Sequence, residues 1–214
     1  MTGRIYAIGD IHGCLDHLDR LLDTIPFNAE KDRLVFVGDY IDRGPDPYGT
    51  VQRVLEIKRT HPKTICLMGN HERMFLDFLS GKDAYSFLYN GGKSTLESYS
   101  RIGAPLNQRG DTPPPEHKAF YDRLLLYFET ENHIFVHAGL RPGVPLLEQN
   151  EQDLLWIRGE FYDSNYDFGK TVIFGHTPFR KPLITKNCIG IDTGAVYGNV
   201  LTCLALPDLV FYQS

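Results

Sequence analysis

Arg4-Ile5-Tyr6-Ala7-Ile8-Gly9-Asp10-Ile11-His12-Gly13 runs from a short apolar stretch straight into an aspartate and a histidine set between glycines. The same construction recurs twice. Leu34–Val37 runs into Gly38-Asp39-Tyr40-Ile41-Asp42-Arg43-Gly44, and Thr64–Met68 into Gly69-Asn70-His71-Glu72. Each apolar run is rich in branched side chains and short enough for a buried strand. Between the first two, Leu15, Leu18, Leu21, Leu22 and Ile25 follow helical spacing, and Pro47 to Thr60 repeats it with Val51, Val54, Leu55 and Lys58. The front half therefore reads βαβαβ. Asp10 and Asp39 lie 29 positions apart and Asp39 and Asn70 lie 31 apart, about one βαβ unit each.

Parallel strands joined by crossover helices place all their carboxyl ends along one edge, where open α/β sheets take ligands. Asp10, His12, Asp39, Asn70 and His71 are thus expected to converge. Two later runs, Ile134–Val136 and Thr171–Phe174, end in His137-Ala138-Gly139 and Gly175-His176-Thr177. All five runs are expected to be interior strands of one sheet, which brings His137 and His176 to the same edge. A single histidine at a strand end is ordinarily a hydrogen-bonded turn residue. Here four of the eight histidines share the edge with two aspartates and an asparagine, whereas His17, His61, His117 and His133 have no such company and read as surface or packing residues.

Carboxylate, amide and imidazole donors without thiolate suit Mn, Fe or Zn, and structural zinc of the cysteine type is excluded. Asp10, His12, Asp39, Asn70, His137 and His176 exceed the three or four donors one catalytic ion takes, which suggests a two-metal site for hydrolysing phosphate esters or amides. Two aspartates and a hydroxide leave such a pair net positive. Arg43 follows in the Asp39 loop, where a guanidinium fork fits phosphate oxygens; the plainer alternative is a surface salt bridge.

The 214 residues suit a single domain. The net charge of -5 leaves no global basic field, so neither nucleic acid nor a membrane surface is an expected partner, and any phosphate-binding patch must be local. Four dispersed cysteines, Cys14, Cys66, Cys188 and Cys203, form no C-x-x-C pair and read as reduced core residues. A strand starting at Arg4 leaves no room for a secretory leader, so the cytoplasm is the expected location.

Gly-Asp-Ile-His-Gly, Gly-Asp-Tyr-Ile-Asp-Arg-Gly, Gly-Asn-His-Glu, His-Ala-Gly and Gly-His-Thr, in this order over residues 9–177, resemble the phosphoprotein phosphatase family of calcineurin-like metallophosphatases, in its short bacterial and bacteriophage lambda form. The resemblance implies an α/β fold, a β-sandwich flanked by helices, and two divalent ions, commonly Mn and sometimes Fe or Zn. It assigns Asp10 and His12 to one ion, Asn70, His137 and His176 to the other, and Asp39 to both. It makes His71 the acid that protonates the leaving group, held by Asp42, with Arg43 and Arg158 on the phosphate. The implied reaction is hydrolysis of phosphoserine or phosphothreonine in a protein or peptide by a hydroxide shared between the ions. Arg158 rests on the short Trp156-Ile157-Arg158 match; otherwise it reads as an exposed arginine closing a helix.

One departure bears on substrate. Many protein phosphatases of this family have arginine before Gly-Asn-His, and this chain has Met68. An apolar residue there is shared with the family's symmetrical diadenosine tetraphosphatases, which makes a nucleotide phosphohydrolase the alternative; their usual Asp in place of Glu72 and greater length count against it. A binding scaffold on the same fold is the non-enzymatic alternative, opposed by the complete donor set. The interval from about 76 to 128 reads as a helical and loop insert whose aromatics either line a groove or pack it onto the sheet. Within it Gly91-Gly92-Lys93-Ser94 fails as a phosphate loop, because the first required glycine falls on Phe87.

Overall fold

The computed structural model describes residues 3–107 and 111–214. The chain opens as expected: β1 (Ile5–Ile8), α1 (Leu15–Thr24), β2 (Arg33–Phe36), α2 (Pro47–Thr60), β3 (Ile65–Cys66) and α3 (Asn70–Leu79), with β1, β2 and β3 mutually parallel in that order. Helix α2 starts where its sequence says it should, with Pro47 in the first turn and Asp46 accepting the Gly49 N–H at 3.1 Å. Helical segments follow between 76 and 128: α4 (Ala84–Phe87), a π-helical turn over Leu88–Gly92, α5 (Lys93–Arg101) and α6 (Pro115–Tyr121). Residues 108–110 of that interval lie outside the described residues.

The second half gives β4 (Tyr127–Glu129), β5 (His133–Val136), α7 (Glu151–Trp156), α8 (Gly159–Tyr162), β6 (Thr171–Phe174), β7 (Leu183–Ile184), β8 (Cys188–Gly190), β9 (Thr202–Leu206) and β10 (Val210–Gln213). Here the one-sheet expectation fails. The five apolar runs divide between two sheets, of order β10-β9-β1-β2-β3 and β4-β5-β6-β8-β7. Strands buried on both faces read as continuous apolar runs, so their composition carries no mark of which sheet they join. The partition is visible only in the packing. Ala7, Val35 and Leu204 of the first sheet meet Phe135, Ile173 and Ile189 of the second. Tyr6, Leu34 and Phe36 face α1, α2 and α3, while Val136, Val172 and Phe174 face α7 and α8.

This is the sandwich flanked by helices that the resemblance implied, in a single α/β domain. Each fully buried aliphatic or aromatic side chain contributes roughly 1.5–3 kcal/mol; the middle apolar layer joins the two sheets, and the outer two hold the helices on their flanks. Because β1–β3 and β5–β6 both end at the same side of the sandwich, the divided strands still deliver their loops to one place. All four cysteines are free and buried, and burial pushes the Cys66 thiol up to about 11. No helix among the described residues is long and apolar enough to cross a membrane.

Candidate metal and phosphate site

Asp10, His12, Asp39, Asn70, His137 and His176 meet, all buried, between the two sheets' strand ends. Asp39 lies in both of two compact donor triads, one with His12 and His71 and the other with His137 and His176. Its Oδ2 is 3.4 Å from His12 Nε2 and its Oδ1 3.5 Å from His137 Nε2. That is close to the spacing two donors keep when each sits about 2.1 Å from a shared ion. Asp10 falls outside both triads: its Oδ2 accepts the His176 N–H at 2.8 Å, and its buried Oδ1 has no partner among the described residues. A β-carbon on Gly175 would stand 2.0 Å from that oxygen, and one on Gly69 2.0 Å from Asp39 Oδ1, so both positions exclude a side chain.

The donors fit cations because their lone pairs face one another. His12 Nδ1 lies 2.8 Å from the Ile41 carbonyl and His137 Nδ1 2.9 Å from the Val37 carbonyl, contacts that require N–H at both Nδ1 atoms. Burial keeps these rings neutral: it pulls His12 down to about 3 and lowers His137, as it takes His176 to about 2. A neutral ring with hydrogen on Nδ1 presents a lone pair at Nε2. His137 Nε2 then meets the Asn70 oxygen at 2.9 Å, acceptor against acceptor, and a cation between such atoms relieves the repulsion. Asp10 says the same, since burial and the nearby Asp192 and Asp39 push its carboxyl well above its ordinary range.

Backbone strain concentrates at this edge. His12, Asp39, Asp42, Arg43 and His176 all have positive φ, from 49° to 69°, which L-residues hold only when their surroundings enforce it. Glu72 is the main enforcer. Its buried carboxylate accepts the N–H groups of Asp39 and Gly69 at Oε2, both at 2.9 Å, and those of Tyr40 and Ile41 at Oε1, at 2.8 and 3.3 Å. Reaching back from the first turn of α3, it ties the Asp39 loop to the Gly69-Asn70-His71 turn. Asp39 Oδ1 in turn accepts the His71 N–H at 3.1 Å.

His71 Nδ1 sits 2.6 Å from Asp42 Oδ2, and its Nε2, on the far side of the ring, is buried with no partner among the described residues. Thr95 of α5 completes the chain: its hydroxyl donates to Asp42 Oδ1 at 2.6 Å and accepts the Asp42 N–H at 3.0 Å. Arg43 Nη1 donates to His12 Nε2 at 2.8 Å, placing a positive charge among the donors. Arg158, lying between α7 and α8, donates from Nη1 to Thr177 Oγ1 at 3.1 Å. Both arginines line a cleft of about 210 Å³ together with His71, Asn90, Trp156 and Asp192. Met68 is instead buried in the helix-side core, and Arg73 pairs with Glu151 at 2.7 Å.

Glu72, Thr95, Asn90 and Asp192 carry no role in the sequence reading. Glu72 alone had a signal, an acidic residue in the first turn of a helix that opens on glycine. The doubled glycine of the insert has a structural use: the Gly91 carbonyl accepts the Arg43 N–H at 3.2 Å. The insert's aromatics divide. Phe87 and Tyr99 are buried, while Tyr85 and Tyr89 stack on each other in solvent, centroids 5.6 Å apart. His117, outside the cluster, packs between Tyr99 and Gln52.

The geometry has counterparts among known proteins. The family model for calcineurin-like phosphoesterases matches residues 3–198. A serine/threonine-protein phosphatase 1 of Salmonella typhimurium is 31% identical, over 92% of this chain and 89% of its own. An asymmetrical bis(5'-nucleosyl)-tetraphosphatase PrpE of Oceanobacillus iheyensis is 27% identical, over 97% and 90%. A solved structure provisionally assigned as a diadenosine tetraphosphatase superposes with a TM-score of 0.76 at 25% identity, covering all of this chain and 94% of the other. With donor triads sharing one aspartate and a family match across nearly the whole sequence, the chain belongs to the calcineurin-like phosphoesterases and is a hydrolase of that metal-dependent family.

Proposed function

We propose that the protein is a serine/threonine phosphatase, removing phosphate from phosphoserine and phosphothreonine in proteins or peptides with two divalent ions, Mn in the first place. The observation that carries this reading is the Asp42–His71 pair at 2.6 Å, with His71 Nε2 unpartnered beside the cleft. A seryl or threonyl alkoxide is a poor leaving group and needs a proton as its bond to phosphorus breaks. Asp42 fixes the ring so that Nε2 can deliver it. Arg43 and Arg158 orient the phosphoryl oxygens. Asp10, His12, Asp39, Asn70, His137 and His176 would hold the ions, which would supply an activated water and neutralise phosphate charge.

The tetraphosphatase relative supports a second reading, nucleotide hydrolysis, in the asymmetrical class that its name specifies rather than the symmetrical one suggested by Met68. Cleaving a phosphoanhydride expels a phosphate, which leaves readily, so a dedicated acid has less to do there. The test compares Mn-loaded enzyme on a phosphoserine peptide, p-nitrophenyl phosphate and diadenosine tetraphosphate. The peptide should exceed the dinucleotide in kcat/KM. His71→Asn should slow the peptide by about 100-fold and p-nitrophenyl phosphate by less than about 10-fold. Equal losses on both esters would remove the acid role, and a dinucleotide preference of orders of magnitude would replace the proposal with the second reading.

A further inference from the structure

A groove of about 860 Å³ adjoins the cleft and shares Pro178 and Tyr197 with it. Its walls come from the loop after β6 and the loop after β8. Asn199 ties them together, donating from Nδ2 to the Arg180 carbonyl at 3.2 Å and to the Thr193 carbonyl at 2.7 Å. Phe179 N–H adds a third tie, to the Asp192 carbonyl at 3.0 Å. The groove is therefore built before any substrate arrives.

Its rim is cationic in a chain of net charge -5. Arg180 and Lys181 are exposed, and neither makes an ion pair among the described residues. The depression continues into the cleft, where Arg43 and Arg158 stand near the buried Asp192 carboxyl, so the rim pair Arg180 and Lys181 extends a run of four cations along it. Unpaired cations next to a phosphoryl site attract a second negative group on the same substrate.

Two features choose the carrier of that group. The groove is open to solvent and several times larger than the cleft, which leaves room for more than a single small group. Tyr197 is the exposed aromatic ring on its wall, and Arg43 already lies over that ring at 5.7 Å, which removes one face from any stacking with a base. A purine would have half a slot; a peptide needs none.

We infer that this groove binds the segment of a phosphopeptide flanking the phosphorylated residue and selects acidic side chains there through Arg180 and Lys181. The inference rests on the protein-phosphatase reading and narrows it to acidic sequence contexts. The test measures kcat/KM on phosphoserine peptides that carry glutamate, alanine or lysine flanks on either side. It uses the Mn-loaded protein and the double variant Arg180→Glu, Lys181→Glu.

The intact protein should favour the acidic over the basic flank by about 10-fold on one side of the phosphoserine, as two exposed charge pairs would give. That preference should shrink as salt rises. In the variant it should invert, so that the lysine-flanked peptide becomes the better substrate, an outcome that mere damage to the loops does not produce. Should the double variant fold poorly, Arg180→Gln and Lys181→Gln singly should each remove part of the preference. Equal rates on the three flanks in the intact protein overturn the inference while leaving the phosphatase reading intact. A variant effect confined to diadenosine tetraphosphate overturns it too and gives the groove to a polyphosphate. Hydrolysis of p-nitrophenyl phosphate with no phosphopeptide turnover at any flank defeats the parent reading and the inference together.

Discussion

The two sheets contribute to the site in different ways. Loops after β1 and β2 bring carboxylates, Asp10, Asp39 and Asp42, the last two on backbone forced into the left-handed region and held there by Glu72 and Thr95. Loops after β5 and β6 bring neutral rings, His137 and His176, each tied across the sandwich to the first half: His137 Nδ1 to the Val37 carbonyl, and the left-handed His176 through its N–H to Asp10. The first half is a braced charge cluster. The second is a pair of donors carried in by packing. In the proposed two-ion site the ligating carboxylates would come from the first half, and the second half would complete the coordination.

Breaking the charged half should cost most. Asp39→Asn keeps the shape but removes the carboxylate common to both triads, so bound metal should fall from about two ions per chain to one or fewer, with kcat/KM down by about 1,000-fold or more. His137→Asn, in the neutral half, should lose metal affinity by roughly 10- to 100-fold and regain rate when Mn is raised. Metal analysis after dialysis and a Mn titration measure both. An Asp39→Asn protein that keeps two ions and its rate would abolish the distinction between the halves.

Glu72→Gln tests the brace. The amide can accept two of the four N–H groups but turns its own NH2 against the other pair. The loss should be about 3 kcal/mol, or roughly 10 °C in Tm. If the comparison is right, metal affinity should fall along with Tm, because the Asp39 loop and the α3 turn are then free to separate. An unchanged Tm would mean that the strained backbone is held by something else.

The same contrast explains how much could be read from the sequence. The charged half was legible, because strand, turn and helix follow one another at βαβ spacing and place Asp10, Asp39 and Asn70 on one edge by local rules alone. His137 and His176 were found from the same pattern, but by a wrong route: the sheet they were expected to join is not theirs. Two sheets ending on the same side deliver the rings to the same point, so the error in topology left the site unchanged. Supports reached through tertiary folding were not legible. Thr95 lies 53 positions from Asp42 in an α5 face that reads as ordinary helix, and Arg180 and Lys181 look like loop cations until their missing partners are seen.

Thr95 offers the smallest effect and the finest discrimination. Thr95→Val is nearly isosteric, so the core around α5 should survive, but Asp42 Oδ1 and the Asp42 N–H both lose their partner. With that side freed, Asp42 can rotate away from His71 Nδ1 and the ring loses its fixed direction. On the phosphoserine peptide kcat should fall by about 10-fold with little change in KM, on p-nitrophenyl phosphate by about 2-fold or less, and Thr95→Ser should restore most of the peptide rate. Combined with His71→Asn, Thr95→Val should cost almost nothing further, since a positioning residue has no effect once the group it positions is gone. Equal losses on the two substrates, or additive losses in the double variant, would make Thr95 a packing residue and confine the brace to Glu72.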